Sequence, residues 1–441
     1  MLRTVFVVIV LAIGWGFALQ STLYALGLYL WIAYFRPETW AWSDIFATLN
    51  LSYIAGAYLV IRTVMAGTKI RFTMRSSLLF LYLAWALLST SQGLNYEHSM
   101  QYWQEFAKAV VISYLITIVV QSTADLRFVL MVITFSLGFE AVKQGWIQLL
   151  LNPGAPNANR IPFLGDNNLV AVGMAMLLPV IAALANTSTG WLKRLFQFMS
   201  VGVLYRAVST YSRGGLLALG AVGGMHVWRS PHKLRTVAAF VILLAVVVPV
   251  LPSAYWERMA TIAAPTEERD DSQMSRLYFW QVAVSMANDH PMLGVGHRGY
   301  EPAYNDYDTS QRQFGRNRAV HSAWFGVLAE TGYPGLMIYV ALVMSSWFAC
   351  RRVRIAAARG EVPKELGHYA IALETALVAF IVGGSFVSFQ YCEMLWHYFG
   401  LTMALESVAV RAAAEARERL ETPEAEPAAA QAEPEPEFAW G

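Results

Sequence analysis

The feature that most constrains this chain is the length of its apolar runs. From "RTVFVVIVLAIGWGF" at the start to "EMLWHYFGLTMALESVAV" near residue 410, apolar residues fall in blocks of roughly 17 to 25, the length a helix needs to cross a bilayer. An unsatisfied backbone group is costly in lipid, so such blocks must close their hydrogen bonds internally as helix. The composition agrees: 56% of the 441 residues are hydrophobic and 14% charged, against about 25% charged in soluble domains. Mean hydropathy is +0.43. The expected fold class is all-α, a polytopic transmembrane helical bundle.

Candidate spans are 3–19, 21–35, 45–66, 76–92, 102–121, 126–151, 168–186, 192–210, 213–229, 234–251, 333–350, 367–388 and 392–410. The first two are short and nearly continuous, either two tilted helices or one broken element, so the total is about 12 or 13. The N-terminus carries only Arg3 as an n-region and no A-x-A site, so it reads as a membrane segment and not as a signal peptide. Four regions follow: an N-terminal transmembrane bundle (1–251), a large loop with amphipathic helices (252–332), C-terminal transmembrane helices (333–410) and an acidic tail (411–441). The tail's "ETPEAEPAAAQAEPEPEF" cannot bury a core and is expected to be disordered.

The basic loops "GTKIRFTMR" (67–75), "RSPHKLR" (229–235) and "CRRVRIAAARGEVPK" (350–364) fall on one side of these spans. By the excess of Lys and Arg in cytoplasmic loops, that side and the tail are cytoplasmic. In a bacterial inner membrane the loop 252–318 then faces the periplasm. Cys350 and Cys392 are expected at opposite faces, with no disulfide and no metal-ligand spacing. A net charge of +2 says nothing about nucleic acid, and no nucleic-acid partner is expected.

The long loop has seven arginines, Arg258, Arg269, Arg276, Arg298, Arg312, Arg316 and Arg318, and no lysine. A guanidinium fork binds oxyanions bidentately, so an all-arginine loop suits phosphate recognition. Arg258 and Arg269 sit beside acids and are expected to pair with them. "SRLYFWQVAVSMAND" (275–289) has helical spacing, with Leu277, Trp280, Val284 and Met286 as its apolar residues, and suits a helix lying on the membrane surface or the bundle. Arg276 falls in its first turn. Gly294, Gly296 and Gly299 follow around Arg298, where glycine lets backbone approach a ligand.

Within the spans the stretch "TYSRGGLLALGAVGG", with Tyr211 and Ser212, places Arg213 at a helix start. There, free N–H groups and the macrodipole already favour an anion. Arginine in a bilayer is costly, and Gly214 and Gly215 imply close packing around it. Snorkelling to the interface is the plainer reading. The other charges inside spans are Arg62, Glu140, Lys143, Arg206 and Glu374; Glu140 and Lys143 are one turn apart and suited to neutralise each other. "GDNN" supplies Asp166, Asn167 and Asn168 at another helix start. One of them is explained as a cap; the rest suit sugar hydroxyls. Finally "RNRAVHSAWFGVLAETGYPGL" opens on His321 at the foot of a span, where a histidine capping a helix is the plainer alternative to a base.

These segments resemble the bacterial O-antigen ligases. His321, Ser322, nine residues, Gly332, two residues and Gly335 fit that family's His-[Asn/Ser/Gln]-x9-Gly-x-x-Gly pattern. "YSRGG" is similar to its Ser-Arg-Gly signature, and "SRLYFWQVAVSMANDHPMLGVG" to its "R…W…A…hP..G.G" segment. "LYLWIAYFRPETWAWSD", "GDNN" and "EMLWHYF" look more like a subgroup, the O-glycosylation ligases associated with exosortase systems. The likeness covers about residues 20 to 410.

The resemblance implies a metal-independent glycosyltransferase of the GT-C type with no cofactor. It would move a glycan from undecaprenyl diphosphate to an acceptor hydroxyl in the periplasm, on the lipid A core or on a protein. The family's essential histidine maps to His321, its membrane arginine to Arg213, and its loop arginine to Arg276 or Arg298. Arg316, Arg318, Tyr211, Ser212, Asp166, Asn167, Asn168 and Trp280 are the expected substrate-binding residues. The chemistry is consistent. A lipid diphosphate is already a good leaving group, which arginines can neutralise without a metal; "ERDD" (268–271) reads as a solvated turn. A hydroxyl acceptor needs a base near neutral pH, and nearby arginines would keep a histidine neutral for it. An O-antigen polymerase is the alternative within the family. A transporter would show internal repeats, and none is visible.

Overall fold

The computed structural model describes residues 2–41, 46, 48–69, 72–247, 251–260 and 271–421. These residues form 17 helices and no strand, with one isolated bridge between Ile161 and Gly165. In order they are α1 (Leu2–Ala18), α2 (Thr22–Phe35), α3 (Pro37–Trp40), α4 (Leu51–Met65), α5 (Met74–Ser91), α6 (Tyr96–Val119), α7 (Thr123–Leu151), α8 (Asn167–Asn186) and α9 (Gly190–Val208). Then come α10 (Arg213–Arg229), α11 (Lys233–Val247), α12 (Ser253–Ala260), α13 (Asp271–Asp289), α14 (Tyr300–Tyr307), α15 (Ala323–Ala358), α16 (Lys364–Gly383) and α17 (Glu393–Glu421).

Among the described residues every candidate span overlaps a helix. The first two are separate helices: Ser21 breaks the run in an extended conformation, and its side chain caps α2 by accepting from Leu23 N–H. By length and hydropathy α8, α15 and α16 are each long and apolar enough to cross a membrane, and α1, α2 and α4 are shorter apolar helices. This is an all-α helical membrane protein.

Several expectations change in detail. The span placed at 333–350 is the second part of α15, which starts ten residues earlier and is interrupted at Gly332 (φ 69°, ψ −174°). The division at 332 thus falls on a break inside one helix. The last helix runs to Glu421, through an Ala-, Glu- and Arg-rich stretch of high helix propensity. The acidic segment expected to start at 411 is therefore helical at first; residues 422–441 lie outside the described residues. α13 turns a different face inward than expected. Phe279, Val282, Ala283 and Met286 are buried while Leu277 is 38% exposed, because an i, i+3, i+4, i+7 stripe is what meets the neighbouring helix.

Charges inside the bundle are matched. Glu140 and Lys143 pair at 2.7 Å. Arg206 donates to Gln144 Oε1 at 2.8 Å and to the Asn159 carbonyl. Arg75, at the end of an expected cytoplasmic loop, is instead buried on Thr402 and Glu406. Cys350 and Cys392 are free thiols.

The break at Gly332 positions the loop region. Its left-handed backbone is open to glycine, and a Cβ there would stand 2.5 Å from the Met292 carbonyl oxygen. Across this gap Tyr333 N–H donates to Pro291 O at 2.9 Å, and Val295 N–H to Ala329 O at 2.9 Å. A Cβ on Gly294 would likewise meet Ala329 O at 2.4 Å. These glycines allow approach of backbone to backbone, not to a ligand. The segment 290–296 is thereby strapped onto α15, and it carries α13 against the helix that follows His321.

Candidate active site

Three helix N-termini meet at one end of the bundle. Asp166 caps α8, its Oδ1 accepting from Asn168 N–H at 2.7 Å and Leu169 N–H at 3.0 Å. Asn168 Oδ1 accepts 2.8 Å from the hydroxyl of Ser212. Ser212 caps α10 by taking the N–H of Gly215 at 3.2 Å. The starts of α8 and α10 are thus tied side by side, with Arg213, 8% exposed, as the first residue of α10. The glycines after it do what their type suggests. A Cβ on Gly215 would lie 2.3 Å from Ala171 Cβ on α8, and one on Gly214 3.0 Å from Phe386 Cβ.

The third terminus belongs to α15. Ser322 caps it, accepting from Phe325 N–H at 3.5 Å, and Ala323 N–H donates to Gly384 O at 2.7 Å. His321 stands just before this cap in a left-handed conformation, φ 50°, a strain of about 1–2 kcal/mol for a residue with a Cβ. Its ring centroid is 6.3 Å from that of Phe279 on α13. Burial pushes the imidazole down to about 4, Arg276 and Arg318 act in the same direction, and Asp166 opposes them. The histidine is therefore neutral at pH 7, as its neighbours were expected to make it, with burial the largest cause.

Arg276 lies in the second turn of α13, not the first. Arg318 is exposed, its Cζ 5.8 Å from the centre of the Phe279 ring; Arg316 is exposed beyond it. Trp280 stacks on Phe325 (centroids 5.2 Å, 15°) and lies 6.3 Å from Phe386, the ring that Gly214 faces. Its Nε1 is buried with no hydrogen-bond partner, as is Asn167 Oδ1. The structure therefore brings together Asp166, Asn168, Ser212, Arg213, Arg276, Trp280, Arg318 and His321.

Two expected residues stand apart. The Tyr211 hydroxyl donates to the Gly154 carbonyl, and its ring packs edge-on against Tyr255 at 4.9 Å; it holds the turn before Arg213 in shape. Arg298, also left-handed (φ 52°), lies over Tyr102 at 4.9 Å and Tyr391 at 5.8 Å. It lines a cavity of about 210 Å³ with Arg36, Glu105, Phe163 and Glu393. A smaller cavity of about 110 Å³ shares Arg298, Tyr102 and Tyr391 and extends to Val320, beside His321. Glu330 Oε2, Gln390 Oε1 and Ser388 Oγ, all from residues lining it, have no hydrogen-bond partner.

The aromatic wall of Phe279, Phe325 and Phe386, and the cleft residues Tyr391 and Glu330, were not singled out in the sequence. Glu330 had a signal, a carboxylate inside an apolar run and within the His-to-Gly spacing. The aromatics had none that separates them from core. Of "ERDD", Glu268 to Asp270 lie outside the described residues. Among the described residues no group of three or more His, Cys, Asp or Glu side chains is arranged to hold a metal ion.

A helical membrane protein that gathers arginines, helix N-termini and a neutral histidine at one end of its bundle has the charge there to receive an anion. Residues 198–340, which include Arg213, Arg276, Arg298 and the His321 motif, match the family model described as O-antigen ligase. Over this region the chain is similar to the O-antigen ligases, and the match supports an enzyme of the ligase/polymerase superfamily. Residues 1–187 match a family of unknown function, DUF5935. No curated protein matches the chain significantly.

Proposed function

We propose that the protein transfers a glycan from undecaprenyl diphosphate to an acceptor hydroxyl at the periplasmic face of a bacterial inner membrane. The observation that carries this reading is the joining of the α8 and α10 N-termini at Arg213, close to the start of α15, where Arg276 and Arg318 act on an uncharged His321. Helix N-termini and guanidinium groups both favour a diphosphate, and their fields add.

In this mechanism His321 accepts the proton of the acceptor hydroxyl as its oxygen bonds to the anomeric carbon. The bond from that carbon to the phosphate oxygen breaks, and its electron pair stays on the leaving diphosphate. Arg213, at the head of α10, holds the diphosphate throughout, while Arg276 and Arg318 meet the charge that grows on it. The site works without a metal. The bound diphosphate also raises the proton affinity of His321, so the base strengthens once the donor is in place.

The Arg298 cleft holds sugars. It combines tyrosine faces with guanidinium, carboxylate and amide groups, of which several are unpartnered, and it reaches the chain segment that carries His321 from the side of Val320. Within the resemblance, Arg276 therefore takes the role of the loop arginine and Arg298 that of a glycan contact. The acceptor is a hydroxyl of lipid A core or of a protein. A hydroxyl of a second lipid-linked glycan as acceptor is the polymerase reading. The deciding experiment incubates purified protein with a defined undecaprenyl-diphosphate glycan and each acceptor class. Transfer to lipid A core or protein supports the ligase; products lengthened only on the lipid carrier would replace it with the polymerase.

A further inference from the structure

The helices that frame the site carry a second charged cavity at their other ends. α10 begins at Arg213 and ends at Arg229, about 25 Å away along a 17-residue helix. α15 begins beside His321 and ends at Ala358, and α16 begins at Lys364 and ends next to Gly384, which accepts from Ala323 N–H. Where the far ends of these three helices meet, Trp228, Arg229, Arg354, Lys364, His368 and Ile371 line a cavity of about 590 Å³.

Its charge is unbalanced. One carboxylate, Glu374, is buried at the back, and its Oε2 takes both Arg229 (2.8 Å) and Arg354 (2.9 Å). Arg229 is further held by Thr375 Oγ1 at 2.6 Å and the Ile371 carbonyl at 3.3 Å. Arg354 donates through Nε, and among the described residues no protein acceptor takes its Nη groups. With Lys364, three fixed cations thus face one carboxylate. The rim is apolar. Trp228 is 64% exposed on the last turn of α10, and Ile371 is also exposed. A tryptophan beside a basic cluster at the end of membrane helices belongs at the headgroup level of a bilayer.

We propose that this cavity binds the phosphate headgroup of an anionic phospholipid. The phosphate sits between Arg354 and Lys364, with Arg229 and Glu374 holding Arg354 in place, and Trp228 lies against the glycerol and upper acyl chains. The basic loops 229–235 and 350–364 flank the same opening, which fits the side where anionic headgroups would be gathered. A lipid seated here bridges three helices that reach the candidate active site, yet touches none of its residues. The inference does not depend on the proposed activity.

The test is native mass spectrometry of the full-length protein purified in detergent, with phosphatidylglycerol or phosphatidylcholine added. Phosphatidylglycerol should be retained preferentially, and Arg354→Gln and Lys364→Ala should each weaken retention about fivefold, the effect of removing one basic contact near a lipid surface. Trp228→Ala, at an exposed position, should weaken it with the fold intact. Equal retention of the two lipids, or retention unchanged in all three variants, would overturn the proposal. Inorganic phosphate is added in a parallel thermal-unfolding measurement. Stabilisation by phosphate equal to that by phosphatidylglycerol would make the site one for a free anion and would equally overturn the lipid assignment.

Discussion

Ser212 Oγ and Asn168 Oδ1 lie 2.8 Å apart, and this one hydrogen bond joins the first turns of α8 and α10. It sets Arg213 beside the Asp166 cap that faces His321. Loss of the Ser212 hydroxyl should cost about 1 kcal/mol and let the two helix starts drift. Ser212→Ala should therefore lower transfer, with affinity for the lipid diphosphate falling by severalfold. Unchanged donor affinity would show that Arg213 is positioned without this bond.

His321 should act as a base whose own proton affinity is low. Its proton affinity is depressed to about 4, so the neutral form required for catalysis is lost only as pH falls through that value. The acid limb of kcat/KM, which reports the free enzyme, should lie near 4, and that of kcat at higher pH, because bound diphosphate favours the imidazolium. His321→Ala should abolish transfer in a folded, inserted protein. Near-normal rates from purified His321→Ala protein would remove it as the base.

The arginines should divide their work. Arg213→Lys keeps charge but loses the fork, and should weaken donor binding and turnover together. Arg276→Ala should reduce turnover more than donor binding if it meets charge that develops on the leaving group, as proposed. Arg298→Ala should act on the KM for glycan or acceptor with little change in diphosphate affinity. Measuring lipid-diphosphate binding beside transfer for the three variants separates these outcomes. A loss of diphosphate affinity in Arg298→Ala as large as in Arg213→Lys would return Arg298 to the clamp.

Gly332→Ala should be destabilising by more than about 2 kcal/mol, through a left-handed φ and a Cβ pressed onto backbone. Gly360, also left-handed (φ 77°) but with nothing within 4 Å of a Cβ, serves as the control. Gly360→Ala should cost only the conformational term, so thermal unfolding should separate the two variants clearly.

Transfer should survive thorough chelation. Loss of activity in EDTA, restored by Mg2+ or Mn2+, would instead assign a cation to acidic residues such as Asp270 and Asp271.

The sequence alone determined where the helices lie and several of their ends. Apolar runs of bilayer length, Ser and Asp caps and the glycines after Arg213 are local signals, and each acts within a turn or two of its own position. It also supplied the His321-to-Gly335 spacing and the exposed run of arginines. Other properties depend on contacts between residues far apart in the chain, and only the tertiary structure decided them. Asn168 and Ser212 are 44 positions apart, and nothing in either segment specifies the other. Arg276 and Arg298 are equivalent in the sequence, both arginines in one polar loop. The strap at Gly332 turns the first toward His321, while the fold lays the second over Tyr102 and Tyr391. The inward face of α13 was likewise settled by the helix it packs on, because an apolar stretch with aromatics on several sides offers more than one face to bury.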